Sequence, residues 1–298
     1  MITIYIKEMN QGIDKLNIQS KIIKNVVYKF IKMFNIVQVE EIEENKKIYV
    51  IPNIDRISVY KRITKKLIKE QTKTQKIQIV LSEKLKKYEN LFSKFKIISG
   101  KGIFINHIEE VIDKVIGDNV LEMQDIYITT NFYNESNINI VKKLASKVKS
   151  INIITKEIEK YKILEEIMQN DGIAICVANN KKKSLKKAKI VINLDFSKEN
   201  LNEYILNRNA IIININQDKI VSLKGFEGIV IRDIDIILDK KQYEFKRNNR
   251  LDNFKNIEIF ETLINKNDKN IKINVNKLCG NNGEITEYEL KKWQEEVL

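Results

Sequence analysis

Residues 125–135 read Asp125-Ile126-Tyr127-Ile128-Thr129-Thr130-Asn131-Phe132-Tyr133-Asn134-Glu135, and the fold is decided there. A short β-rich run ends in a polar turn. Ile138, Val141, Leu144, Ala145 and Val148 then recur at helical spacing. The same strand–turn–helix unit repeats downstream. Ile151-Asn152-Ile153-Ile154 is a second strand, and Ile163, Leu164, Ile167 and Met168 mark a helix that Asp171-Gly172 closes. Ile173 to Val177 is a third strand, and the polar stretch Asn179 to Lys183 leads into a short basic helix around Leu185. Ile190-Val191-Ile192 is a fourth strand, Leu201, Tyr204, Ile205 and Leu206 mark another helix, and Ile211 to Ile215 is a fifth strand. Strands written as unbroken apolar runs are buried on both faces, which is the habit of parallel sheets covered by helices. The strict alternation of strand and helix agrees. Crossovers are right-handed, so residues 124–237 are expected to form a doubly wound, mostly parallel α/β domain.

Working outward, residues 1–105 read as a smaller N-terminal α/β domain. Ile2 to Ile6 alternates like a strand, and Ile22, Ile23, Val26, Val27, Phe30, Ile31 and Phe34 form an apolar helix stripe. Ile36 to Glu41 and Lys47 to Ile51 read as paired strands, followed by a helix through Tyr60, Ile63, Leu67 and Ile68. Ile77 to Leu81 and Phe95 to Ile98 read as strands flanking a helix from Leu85 to Phe92. A connecting helix is expected over 106–123. Phe226 to Ile231 and Ile234 to Ile237 read as a sixth strand or a hairpin. Residues 238–298 read as a polar loop and a C-terminal helical segment. In that segment Lys240 to Asn256 is the loop, Ile257 to Ile264 a helix, and Thr286 with Glu289 the capping box of a last helix through Trp293.

The net charge of +13 admits a nucleic acid or an anionic membrane as partner. Only six of the 53 basic residues are Arg, however: Arg56, Arg62, Arg208, Arg232, Arg247 and Arg250. Readers of phosphates and bases lean on the bidentate guanidinium, so lysines spread over many helix faces read as solvation. Cys176 lies inside an apolar strand and reads as a buried reduced thiol; Cys279 sits in an unrelated context, so the pair has no metal-type spacing. There is no signal-peptide pattern and no apolar run near ~18 residues, so a cytoplasmic protein without membrane insertion is expected.

The order of strands and helices over 124–237 resembles the NAD(P)-binding half of the shikimate dehydrogenase and glutamyl-tRNA reductase group. Asp171-Gly172-Ile173, Ser184-Leu185-Lys186-Lys187-Ala188-Lys189-Ile190-Val191-Ile192-Asn193 and Ala210-Ile211-Ile212-Ile213-Asn214 carry that resemblance. It implies a Rossmann-like fold and a dinucleotide cofactor. In that group a Gly-rich turn after the first strand lets the backbone approach the pyrophosphate. Here the corresponding turn, Thr129 to Glu135, has no glycine, and Phe132, Tyr133 and Glu135 are expected to obstruct a dinucleotide. NAD(P) is therefore disfavoured. Glu157 falls where a ribose-binding carboxylate would sit, and equally reads as a solvated loop residue. Gly100-Lys101-Gly102 follows a strand and precedes a helix, but Ile105 stands in place of a third glycine, and the segment reads as a turn between domains.

Ligands of doubly wound sheets bind beyond the carboxyl ends of the strands. Those ends are Thr129, Thr130 and Asn131; Thr155; Asn179; Asn193 and Asp195; and Asn216. They could hydrogen-bond a small polar ligand, and they are also what an Asn-rich chain places in loops. His107 is the only histidine, so no His-based dyad or metal cluster can be assembled within one chain. Lys181, Lys182, Lys183, Lys186 and Lys187 could receive an anion or form a solvated face. Three functions are consistent with this. The first is a binding or regulatory protein, with a small polar ligand or a protein partner, on a degenerate Rossmann-like scaffold. The second is an NAD(P)-dependent oxidoreductase similar to shikimate dehydrogenase. The third is a Lys-rich nucleic-acid-associated protein.

Overall fold

A computed structural model describes residues 1–9, 21–71, 76–216, 220, 222–238, 251–263 and 273–298. The chain divides into two compact units: Met1–Ser99 with Arg247–Asn265, and Gly100–Lys246 with Lys266–Leu298. Residues 106–123 thus fall within the second unit, and 247–265 within the first.

Unit 1 begins with β1 (Ile2–Glu8), α1 (Lys21–Phe34), β2 (Gln38–Glu43), β3 (Lys46–Ile51), α2 (Ile57–Glu70), β4 (Ile77–Leu81) and β5 (Lys96–Ile98). Its sheet runs β2-β3-β1-β4-β5, parallel except for the β2–β3 pair. The segment Glu83–Phe92 winds as a 3-10 helix rather than the expected α-helix. Val59, Tyr60, Ile63 and Leu67 of α2 pack with Leu85 and Phe92 onto the inward face of β1, β3 and β4.

Unit 2 opens with α3 (Lys101–Asn106) and α4 (Ile108–Ile116). The helix expected from Asn106 is therefore interrupted at His107, whose backbone leaves the helical region (φ −103, ψ 14). Then follow β6 (Asp125–Thr129), α5 (Glu135–Ala145), β7 (Ser150–Ile154), α6 (Ile158–Asn170), β8 (Ile175–Ala178), β9 (Ile190–Asn193), α7 (Lys198–Asn202), β10 (Ile211–Asn214) and β11 (Ile229–Ile231). The sheet order is β11-β10-β9-β6-β7-β8 and every pairing is parallel. Counted from β6 this is 3-2-1-4-5-6, the doubly wound Rossmann order, with its switch point between β6 and β9. β9 and β10 are buried at every residue, as their apolar runs require.

Four local expectations are corrected. The basic segment at Leu185 is a series of turns, not a helix. The Asn180 side chain accepts from the amides of Lys182 and Lys183 and so competes with the helical pattern, while Leu185 is buried beneath. The helix expected through Leu206 stops at Asn202. Cys176 is exposed, because β8 is an edge strand whose Cys176 face is left uncovered. β12 (Asp233–Leu238) does not pair with β11; it forms an antiparallel ribbon with β13 (Ile273–Cys279), a strand not expected from the sequence.

Between those strands, α8 (Asn256–Glu261) belongs to unit 1, and α9 (Glu287–Val297) closes unit 2 with the expected Thr286–Glu289 capping box. Most of the expected polar loop, residues 239–250, lies outside the described residues. The ribbon is tied to α4 by Glu110, which accepts from the Val275 amide at 2.9 Å.

Candidate functional site

The switch point places the ends of β6 and β9 side by side. Thr129 pairs with Asn193, and Asn193 with Asn214 of β10, so the last residues of three adjacent strands lie in one line. All three are buried and bonded to one another. Thr129 Oγ1 donates to Asn193 Oδ1 at 2.8 Å, and Asn193 Nδ2 donates to Asn214 Oδ1 at 2.8 Å. Asn193 also accepts from the Phe196 amide and donates to the Phe196 carbonyl, both at 2.9 Å. Asn216 Nδ2 donates to that same carbonyl at 2.9 Å. This ladder is closed polar scaffolding: its donors and acceptors are spent on the strand ends, and they fix the loop that follows β9.

That loop delivers Asp195 into the turn between β6 and α5. Its Oδ1 accepts from the Asn131 amide at 2.5 Å. Its Oδ2 accepts from Thr130 Oγ1 at 2.7 Å, Asn137 Nδ2 at 3.1 Å and the Phe132 amide at 3.2 Å. Backbone amides at this turn, at the head of the helix after the first strand, are those that hold a pyrophosphate in dinucleotide-binding domains. Here a side-chain carboxylate of the protein holds the same position. As arranged, the turn does not fit a pyrophosphate, because both amides are already satisfied by an anion.

The turn is braced from beneath. Asn137 Nδ2 also donates to the Phe132 carbonyl at 3.0 Å, as does the buried Tyr161 hydroxyl. Burial pushes the Tyr161 phenol above its ordinary pKa, which keeps it protonated and donating. Tyr133 stacks edge-on against Tyr161 at 5.0 Å. With its carbonyl and amide both turned inward, Phe132 points its ring out and is 63% exposed. The group that occupies the turn's amides is the Asp195 carboxylate.

Two further groups border the turn. Asn131 Nδ2 donates to Asn200 Oδ1 at 3.2 Å, while the buried Asn131 Oδ1 finds no acceptor-seeking partner among the described residues. Lys101, in the Gly100-Lys101-Gly102 segment, brings its Nζ to 3.5 Å from the Leu194 carbonyl. Gly100 makes this possible by adopting φ 72, in the left-handed region, at the start of α3. Burial lowers the Lys101 ammonium below the usual lysine value, and the neighbouring Asp195 carboxylate opposes that shift.

Thr129, Thr130, Asn131, Asn193, Asp195 and Asn216 are thus gathered at one place. Thr155 is buried and accepts from the Glu157 amide at 3.0 Å. Asn179 accepts from the Tyr204 hydroxyl, and Glu157 pairs with Lys160 at 2.5 Å. Asn137, Tyr161, Asn200 and Asn214 were not anticipated. The matching endings Ile190-Val191-Ile192-Asn193 and Ile211-Ile212-Ile213-Asn214 were a readable signal for the ladder. Asn134, capping the Asn137 amide at 2.9 Å, was one for the helix start. Among the described residues, no group of three or more His, Cys, Asp or Glu is placed to hold a metal ion.

No protein-family profile and no curated protein matches the chain. Among solved structures it is similar to a Ralstonia solanacearum protein assigned as a D-3-phosphoglycerate dehydrogenase oxidoreductase, at 10% identity and a TM-score of 0.34, over 78% of this chain and 80% of that one. It is similar to L-tryptophan dehydrogenase of Nostoc punctiforme at 10% identity and 0.33, over 72% and 62%. It is also similar to ornithine carbamoyltransferase of Pyrococcus furiosus at 8% and 0.27, over 72% and 71%. The Rossmann-type assignment rests on the strand order of unit 2 itself.

Proposed function

We propose that the chain is a ligand-binding or regulatory protein whose dinucleotide-type domain no longer binds a dinucleotide. The observation that carries this reading is the Asp195 carboxylate on the Asn131 and Phe132 amides. A pyrophosphate would have to displace a carboxylate held by four donors, and two negative charges cannot share the turn at these distances. The absence of glycine from Thr129 to Glu135 supports the same reading.

The rim that remains is made of amides, one lysine and one carboxylate. It suits a small polar ligand that hydrogen-bonds to amide groups. A second reading, an oxidoreductase similar to shikimate dehydrogenase, would need a lysine and an aspartate facing each other across a domain cleft, whereas Lys101 and Asp195, which interact electrostatically, both belong to unit 2. It is the weaker reading, because Asp195 is already engaged by four donors. Fluorescence and calorimetric titration with NADH and NADPH separates the two. We expect no saturable binding; a dissociation constant in the micromolar range for either cofactor would overturn the proposal.

A further inference from the structure

Helix α1 of unit 1 carries more apolar surface than its unit covers. Ile31 is buried at 7% exposure, yet Val26, Phe30, Met33 and Phe34 are 53–64% exposed. At 3.6 residues per turn these four occupy one stripe. The rings of Phe30 and Phe34 lie 4.5 Å apart along it, and exposed Ile36 continues it past the helix end. A contiguous apolar patch of this kind marks an interaction surface rather than ordinary scattered exposure.

The charge on the helix itself has a single sign. Residues 21–34 contain four lysines and no acidic residue, and Lys29 and Lys32 border the stripe along one side. The adjoining helix repeats the pattern: α2 has Lys61, Arg62, Lys65, Lys66 and Lys69 before its one acidic residue, Glu70. Arg62 donates to the Asn35 carbonyl at 2.7 Å, so the basic run of α2 starts beside the end of α1. The acidic run Glu40 to Glu44 lies on and just after the edge strand β2, where Glu43 is paired with Lys46 at 2.6 Å.

We infer that α1 adsorbs onto an anionic lipid surface, with Val26, Phe30, Met33 and Phe34 in the boundary between headgroups and acyl chains. Lys29, Lys32 and Arg62 face the headgroup phosphates. Apolar and aromatic residues beside a purely cationic face are the composition of helices that lie in a membrane interface. A second copy of the chain is a poorer occupant, because α1 against α1 sets lysine beside lysine. The contact is adsorption: no described helix is long and apolar enough to cross a membrane.

The test is co-sedimentation of the full chain with phosphatidylcholine vesicles, with and without phosphatidylglycerol. We expect binding to the phosphatidylglycerol vesicles at low salt, weakening as salt rises, and none to phosphatidylcholine alone. Phe30→Ser with Met33→Ser should weaken binding at least about tenfold while leaving the unfolding midpoint unchanged, since both side chains are exposed. Lys29→Glu with Lys32→Glu should abolish it. The inference is overturned if the wild-type chain stays in the supernatant, or if the serine variant binds as well as the wild type. It is also overturned if light scattering shows a dimer that the serine variant converts to monomer, which would make a second copy the occupant.

Discussion

Replacing Asp195 by Ala isolates the contact on which the proposed function depends. The substitution removes one acceptor from four donors, but the cost is not four bonds' worth. Thr130 Oγ1 has a second acceptor in the Phe132 carbonyl at 3.2 Å. Asn137 Nδ2 retains Thr130 Oγ1 at 2.9 Å and the Phe132 carbonyl at 3.0 Å. The Phe132 amide keeps Thr130 Oγ1 at 3.3 Å. The Asn131 amide, bonded to Asp195 at 2.5 Å, is the donor that loses most. One charge-assisted bond fully lost, with partial losses at the others, amounts to about 3 kcal/mol. At roughly 2–4 °C per kcal/mol for a domain of this size, the unfolding midpoint should fall by roughly 6–12 °C. The variant also leaves two backbone amides facing a space that held a carboxylate. Acetate or inorganic phosphate should therefore stabilise Asp195→Ala, regaining about 2.7 kcal/mol at a hundredfold excess over its dissociation constant, and leave the wild type unmoved. Differential scanning calorimetry with and without each anion reads both effects. Wild-type stability in the variant, or equal stabilisation of both proteins by phosphate, would show that the carboxylate does not occupy an anion site.

Three other outcomes follow from particular contacts. Asn193→Leu removes the centre of the strand-end ladder and strands buried donors on Thr129 and Phe196 and an acceptor on Asn214; a loss of about 3–5 kcal/mol is expected in urea unfolding. Gly228→Ala would set a Cβ at 1.9 Å from the Ala210 carbonyl oxygen, so the start of β11 must move. We expect at least about 2 kcal/mol of destabilisation and faster hydrogen exchange at Ile229 and Ile231, whereas the open Gly102 should tolerate Ala with little change.

Glu8 supplies the pH dependence. Burial raises its pKa, but the Ser82 hydroxyl at 2.5 Å and Lys84 at 3.4 Å outweigh that and hold it below the ordinary glutamate value of 4.5. A carboxylate depressed on folding stabilises fully above its unfolded value, and that contribution is lost as the pH falls from about 4.5 through the folded pKa. The acid limb of the stability profile should flatten over that window in Glu8→Gln, and an unchanged limb would remove Glu8 from the account.

The parts of the fold that the sequence made readable were those buried on both sides. β9 and β10 are three-residue apolar runs, each closed by a buried Asn, so pattern and burial coincide. β13 escaped because a two-stranded ribbon needs no such run: Ile273-Asn274-Val275-Asn276-Lys277-Leu278-Cys279 buries only Val275 and Leu278 among the residues whose burial is described. Cys176 misled for the converse reason, since an apolar run at a sheet edge can keep one face open. The turn at Thr129 to Glu135 stands out in the sequence by its lack of glycine, and Asp195 is legible as a rim residue. Their contact was not legible, because it depends on β6 and β9 being neighbours, which only the strand order supplies.

That contact also accounts for the missing glycines. A glycine-rich turn is needed when the anion is a bulky pyrophosphate that must come close to the backbone, since a Cβ would hold it off. A carboxylate that arrives on its own side chain from the end of β9 is smaller and is already aligned by the Thr129–Asn193–Asn214 ladder. It reaches the Asn131 and Phe132 amides from within the sheet edge, so side chains on the outer surface of the turn cost nothing. Phe132 can then be large and exposed, and Tyr133 can brace Tyr161. The helix start keeps its preference for a negative charge. Here that charge is covalently attached, so the turn is satisfied without a ligand. Mutations that place glycine at Phe132 or Tyr133 while leaving Asp195 unchanged should therefore fail to create dinucleotide binding. An NADH titration of such a variant tests whether the obstacle is the bulk of the turn or the charge inside it.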